Sequence, residues 1–310
     1  MVQDERTYRR FSGLPRRTSL RWARLLPTVR AMTTVVFGAS GNVGRHVVAG
    51  LRAVGAHARL ASREPGRAGF ESGADVVVAD LDRPETLSAA LEDADSVFLY
   101  ARPDGIDGFV AAAESAGVKR VVLLSSGAVL DEDPDSNPIG RMHVIVESAI
   151  ERSNLEWTFI RPGMFATNAL WWWQRSIREE GTVRMPYPEA RTAPVHEQDL
   201  AALAVTALIE PGHHGHAYAV TGPESLTLRQ QVRHIGVAID RDIAVESISV
   251  EEARTELGRT LPPPAVDAIM AGWEAGTMAV AEPTPITRVV AGHRARTFAR
   301  WAADHVDDFR

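Results

Sequence analysis

Three glycines stand in the string Gly38-Ala39-Ser40-Gly41-Asn42-Val43-Gly44, directly after the β-branched run that ends at Phe37. A turn of this kind between a strand and a helix can hold a pyrophosphate, because the helix amides and the positive end of its macrodipole face the anion. Gly38 allows the tight turn, Gly41 lets the backbone approach the phosphates, and Gly44 permits close packing of helix on strand. The end of the second strand then tells which dinucleotide is held, since an acid there pairs with a free ribose 2′-hydroxyl and repels a 2′-phosphate. Here it reads Ala61-Ser62-Arg63, 18 to 19 residues beyond Gly44. A hydroxyl beside a two-pronged guanidinium suits the 2′-phosphate, so NADP(H) is the expected cofactor, with NAD(H) the other candidate and Glu64 arguing against the phosphate. Asp80, followed by Leu81, closes the third strand, where its carboxylate can accept a hydrogen bond from the adenine amino group or serve as a turn acid.

Other residues could carry the chemistry. His143 and Glu147 are four apart, so a helix sets imidazole and carboxylate on one face. Glu147 could orient His143 and raise its pKa, leaving an imidazolium to protonate or polarise a substrate oxygen; the pair could equally be a plain i,i+4 helix contact. In the run Trp171-Trp172-Trp173, successive helical residues point about 100° apart, so one or two of the rings can form an aromatic wall for a flat, apolar substrate, or all can serve packing. Gly212-His213-His214-Gly215-His216 reads as a turn, and no cysteines or clustered carboxylates supply further metal ligands; no metal is expected. His196 is a pocket candidate, and Asp199 begins a helix it could simply cap.

The elements that must position these groups follow from periodicity. Short β-branched runs at 35–37, 58–61, 76–79, 97–100, 121–124 and 158–160 alternate with helical stretches at 84–91, 106–116 and 139–152, and Val43, Val47, Leu51 and Val54 give the helix after the glycine turn one buried face. This is the pattern of an α/β, doubly wound Rossmann-type parallel sheet, spanning 32–162. A smaller mixed substrate lobe is expected over 163–310, with helices at 197–209, 226–238 and 250–257, a last helix at 295–309, and Ala217–Thr221 returning to the sheet. Pro262-Pro263-Pro264 reads as a stiff connector.

The bulk numbers exclude several classes. With 310 residues, 45% hydrophobic and without cysteine, the chain can bury a large core but has no disulfide, thiolate nucleophile or cysteine-ligated zinc. The net charge of −6 divides unevenly: residues 1–31 hold eight arginines against two acids, +6, which leaves −12 for the rest. Met32 looks like a natural start, and the arginine-rich extension 1–31 is expected to be poorly ordered. An acidic remainder without a basic aromatic stripe argues against nucleic acid, and the apolar run Leu200–Ile209 falls well short of the ~20 residues that span a bilayer. The expectation is a cytoplasmic monomer or homodimer without a membrane partner.

Together these residues resemble the atypical short-chain dehydrogenase/reductase group, in its NmrA-like and NAD(P)H-quinone-oxidoreductase-like branch. The likeness covers roughly 33–199 and rests on the glycine string, Asp80, the strand Val121-Val122-Leu123-Leu124-Ser125-Ser126, the helix bearing His143 and Glu147, the segment Trp157–Phe165 and the string Ala193–Ala201. By that resemblance the cofactor would also touch Tyr100, Ala101, Ser125 and the turn Pro162-Gly163-Met164-Phe165. The substrate pocket is expected to take in Ser126, Trp171, Trp172 and His196. One departure matters. Ordinary members of the superfamily use a Tyr-x-x-x-Lys pair, whose ammonium lowers the tyrosine pKa for proton transfer. This chain has one lysine, Lys119, and no tyrosine four residues before it. The expected function is therefore reduction of a quinone, enone or related conjugated carbonyl, with hydride from nicotinamide C4 and little demand on a protein acid. The alternatives are a non-catalytic NADP(H)-binding redox sensor and a dinucleotide-dependent isomerase or epimerase.

Overall fold

The computed structural model describes residues 32–278 and 280–310; the expected leader at 1–31 lies outside the described residues. Strand β1 (Thr33–Phe37) is buried along its whole length. Its side chains alternate between two cores, Val36 on one face and Val35 and Phe37 on the other, as an apolar run without polar alternation requires. It is followed by α1 (Gly44–Ala53), β2 (His57–Ser62), β3 (Val76–Val78), α2 (Leu87–Leu91), β4 (Ser96–Tyr100), α3 (Ile106–Ser115), β5 (Arg120–Leu124), α4 (Pro138–Glu151) and β6 (Glu156–Pro162). After α5 (Asn168–Glu180), β7 (Thr182–Met185), β8 (Arg191–Thr192) and α6 (Glu197–Ile209), strand β9 (His216–Val220) returns to the sheet.

The main sheet holds seven parallel strands in the order β3-β2-β1-β4-β5-β6-β9. This is the doubly wound fold expected from the sequence. The order reverses between β1 and β4, and at such a switch point the loops diverge and open a crevice outside the carboxyl ends of the strands. One face is covered by α1 and α6, the other by α2, α3 and α4. Helix α6, expected within the C-terminal lobe, packs against α1 and belongs to the sheet, because it is the crossover that carries the chain from β6 to β9.

The remainder is β10 (Leu226–Thr227), α7 (Leu228–Ile239), β11 (Ala244–Ser247), α8 (Val250–Leu257), α9 (Pro263–Met278), a π-helical turn at Thr287–Ala291, α10 (Phe298–Asp304) and α11 (Val306–Phe309). Two small sheets, β8 with β10 and β7 with β11, frame a third core built on Trp173, Trp273, Trp301, Phe298 and Phe309. Two expectations are corrected here. Pro263 and Pro264 open α9 instead of forming a connector, since proline in a first helical turn forfeits no internal hydrogen bond. The single terminal helix is broken at His305, whose backbone leaves helical geometry at φ −114° and ψ 21°.

Candidate functional site

The turn after β1 is built around its three glycines. Gly38 adopts φ +66°, and a Cβ there would meet the Tyr100 ring at 3.2 Å, so this ring from the end of β4 covers the turn. The Gly41 amide donates to Gly38 O at 2.9 Å and closes the turn. A Cβ on Gly44 would lie 2.1 Å from Gly38 O and 3.1 Å from Ala39 Cα. Its absence thus lets the helix start come down on the backbone where the chain leaves β1, and α1 packs on that strand in the core beneath. Ala39 and Val43 anchor the turn in the core beneath, while Ser40 is exposed. The amides of Asn42, Val43 and Gly44 have no acceptor among the described residues. Orphan donors at the start of α1 are what an anion needs.

Beyond β2, the Ser62 hydroxyl accepts the Glu64 amide at 3.2 Å, and Glu64 itself pairs with Arg67 at 2.9 Å. The acid that argued against a 2′-phosphate is thereby occupied, and Arg63 is exposed with no acidic partner among the described residues. Asp80 is more committed than expected: it accepts the Asp82 amide at 3.2 Å and pairs with Arg83 at 3.3 Å, the habit of a turn acid. The Leu81 side chain packs into the core, and its carbonyl touches the place where a Cβ on Gly105 would stand. Ala101 is half-buried beside Arg102, whose guanidinium grips Asp82 and ties the β3 and β4 loops together.

At the carboxyl ends of β5 and β6 the structure corrects the reading of His143 and Glu147. The buried Glu147 carboxylate accepts the Ser125 hydroxyl at 2.5 Å, Arg161 Nε at 3.0 Å and Arg161 Nη2 at 2.5 Å. Both of its oxygens are occupied. His143 instead donates from Nδ1 to Ile139 O at 2.7 Å, and burial pushes its pKa below the usual value, outweighing Glu147. The ring is a neutral Nδ1–H tautomer whose Nε2 can only accept, not the expected imidazolium. Arg161 was missed as a separate candidate because nothing in its sequence neighbourhood pairs it with Glu147, 14 residues away. Ser126 caps the turn that follows by accepting the Ala128 amide at 3.2 Å. Pro162 is buried, Gly163 is exposed with its amide on Val220 O at 2.9 Å, and Met164 and Phe165 are partly open beside Val195, whose amide donates to Met164 O at 2.8 Å and whose carbonyl accepts the Ala166 amide at 2.9 Å.

The three tryptophans separate as helical geometry demands: Trp171 is 70% exposed, Trp172 meets the Trp273 ring edge-on at 5.2 Å, and Trp173 enters the third core. An aromatic wall, if formed, rests on the Trp172–Trp273 pair, and Trp171 stands outside it. The histidine turn is structural. The His213 ring meets the Tyr218 hydroxyl at 2.8 Å and His214 Nδ1 accepts the Trp157 amide at 3.1 Å, pinning β9 to β6; among the described residues no cluster of ligands could hold a metal. No described helix is long and apolar enough to cross a membrane.

His196 is also corrected. It is 1% exposed and caps α6 by accepting the Gln198 amide on Nδ1 at 3.2 Å, which leaves that nitrogen no proton for Glu197 Oε2, 3.3 Å away. Asp199 binds the Arg296 amide at 2.7 Å and its guanidinium. The group the sequence did not reveal is His305, whose ring nitrogens face Glu197 at 2.8 Å and Asp308 at 2.7 Å. Burial opposes charge on both partners, yet Glu197 and Asp308 raise the His305 pKa above its usual value, and the His305 imidazole helps hold Glu197 well below the usual carboxylate range. A raised histidine stabilises fully below its unfolded value and loses that contribution as pH climbs through the folded one; a depressed carboxylate does the reverse in acid. The two contributions coincide between about pH 4.5 and about pH 6.5. The Tm gap between wild type and His305→Gln is expected to be widest in that window and to close toward alkaline pH; a gap constant up to about pH 9 would contradict the ion pair.

Residues 38–211 match the family model described as NAD(P)H-binding. The chain is 38% identical over 282 residues to the (4-alkanoyl-5-oxo-2,5-dihydrofuran-3-yl)methyl phosphate reductase of Streptomyces griseus, covering 89% of this chain and 98% of that one. It is 32% identical over 289 residues to the NAD(P)H azoreductase of Xenophilus azovorans, again covering 89% and 98%. Among solved structures, the Escherichia coli NADPH-dependent quinone oxidoreductase in complex with NADPH shares the fold with a TM-score of 0.75 at 21% identity, covering 87% of this chain and 99% of that one.

Proposed function

We propose that this chain, which belongs to the NAD(P)H-binding family and is an NAD(P)H-dependent oxidoreductase, uses NADPH to reduce an acceptor whose double bond is conjugated with a carbonyl, an enone or a quinone. The observation that carries this reading is the absence of the superfamily's usual proton-donating pair. The chain has no Tyr-x-x-x-Lys pair, and His143 offers only a lone pair at Nε2. A simple ketone would leave an alkoxide that needs an acid; a conjugated acceptor leaves a delocalised anion that water can protonate.

The residues present fit the dinucleotide. Among the described residues the amides of Asn42, Val43 and Gly44 have no acceptor and would receive the pyrophosphate, and Arg63 has no acidic partner and would receive a 2′-phosphate. When bound, the reduced dinucleotide supplies the hydride. The Streptomyces griseus relative supports the acceptor class, since the dihydrofuranone in its name bears an oxo and an alkanoyl group on one unsaturated ring.

The test is NADPH consumption by the purified protein with a naphthoquinone, a 4-alkanoyl dihydrofuranone and a plain cyclic ketone. The first two are expected to be reduced and the ketone not. Arg63→Ala should raise the KM for NADPH roughly 10- to 100-fold, the loss of a charge-assisted hydrogen bond, and leave that for NADH little changed. No acceptor-dependent consumption across the whole panel would overturn the proposal.

A further inference from the structure

A reductase without a Tyr-x-x-x-Lys pair still has to accommodate negative charge as it appears on the acceptor oxygen. Among the groups at the carboxyl ends of β5 and β6, the Ser125 hydroxyl proton is committed to Glu147, and His143 presents an acceptor. Arg161 is different. Its Nε and Nη2 are fixed on the two oxygens of Glu147, whereas Nη1 has no acceptor among the described residues and the side chain is 19% exposed. It is the penultimate residue of β6, directly before the partly open turn at Gly163–Phe165. In a parallel sheet this is the edge at which ligands bind. Helix α4 runs back along the sheet, so His143 stands one turn, about 5.4 Å, nearer that edge than Glu147.

The arrangement is also costly to keep without a use. A buried ion pair seldom stabilises more than apolar side chains of the same volume, and this one is locked by a serine as well. A guanidinium held on two of its nitrogens points the third in one direction, and it stays charged at any pH the enzyme meets.

We propose that Arg161 is a catalytic residue of this site, its free Nη1 donating to the oxyanion that hydride addition creates, with Glu147 and Ser125 as positioning residues that aim it. This rests on the reductase reading above. In the step, a C–H bond forms on the acceptor and its π pair retreats onto oxygen, where the guanidinium meets it; the dinucleotide is oxidised in turn, and solvent water delivers the proton that neutralises the anion. Donors arranged in advance for developing charge commonly supply the largest share of such stabilisation.

The experiment reads binding, so it does not depend on knowing the acceptor. Calorimetry with the NADP+-loaded protein would measure the affinity for 4-nitrophenol, which titrates near neutrality, at about pH 6 and about pH 9. Wild type is expected to bind the phenolate roughly 10- to 100-fold more tightly than the phenol. Arg161→Lys, which keeps the charge but loses the fork, should retain only a small part of that preference. Glu147→Leu/Arg161→Met, which removes the pair together and so avoids an orphaned buried charge, should abolish it. NADP+ affinity, titrated first, reports that each variant is folded. A folded double variant that still prefers the phenolate would reduce Arg161 to a structural role, as would a wild type without preference. Should the preference be found while no conjugated acceptor is turned over, the anion site stands and the choice of acceptor falls.

Discussion

Gly44→Ala is expected to weaken NADPH binding by about 100-fold or more and to lower the Tm. In an ordinary helix the same change stabilises by about 1 kcal/mol, because glycine is the poorer helix former. Here the new methyl would begin 2.1 Å from Gly38 O, inside any allowed contact and against backbone, which cannot swing aside. Relief requires the turn and helix start to separate by about 1 Å, a misplacement of the order that costs 100-fold in aligned sites, while the overpacking itself costs about 1–3 kcal/mol. Gly41→Ala supplies the contrast. Its Cβ would stand 3.1 Å from Gly38 O, tight but close to tolerable, so the loss there should fall on binding, through a methyl in the path of the phosphates, with little change in Tm. Calorimetric titration beside thermal melting separates the two. A Gly44→Ala protein that binds NADPH as wild type does would mean that the turn is not the cradle.

What the sequence made legible divides along physical lines. Elements whose burial is two-sided announce themselves: β1, β4 and β5 are apolar runs, and α6, carrying no charge from Leu200 to Ile209, was located to the residue. Helix α5 was hidden because Trp171-Trp172-Trp173 presents no single face, although Gly181 in the left-handed region marks its end. Helix α9 was hidden by Pro263 and Pro264, read as a stop when they are a start. The glycine turn was readable since local backbone demands dictate it. The partners of Glu147 and Glu197 were not, because Arg161 and His305 lie 14 and 108 residues away and only the fold brings them near. The i,i+4 spacing of His143 and Glu147 was true of the helix and misleading for the chemistry: a bidentate guanidinium outcompetes a neutral ring for a carboxylate.

Glu147→Ala is expected to be among the most destabilising single changes in the chain, and the reason lies in what it leaves behind. Removing the carboxylate strands the Arg161 guanidinium in a largely buried setting and frees the Ser125 hydroxyl, itself buried, from its acceptor. Breaking one side of a buried pair costs about 3–5 kcal/mol. With Arg161 19% exposed, water can reach the stranded charge and the lower end applies, about 3 kcal/mol, which for a chain of this size is a Tm loss of roughly 5 °C. The double replacement Glu147→Leu/Arg161→Met should recover most of that loss, because apolar side chains of similar volume forgo the attraction and the desolvation together. Melting curves of the two variants decide between two accounts. If the double variant is as unstable as the single one, the pair is a keystone of the packing between α4 and β6. If it regains the wild-type Tm, stability gives no reason for the pair to be there, and the reason has to be sought in what the guanidinium does at the edge of the sheet.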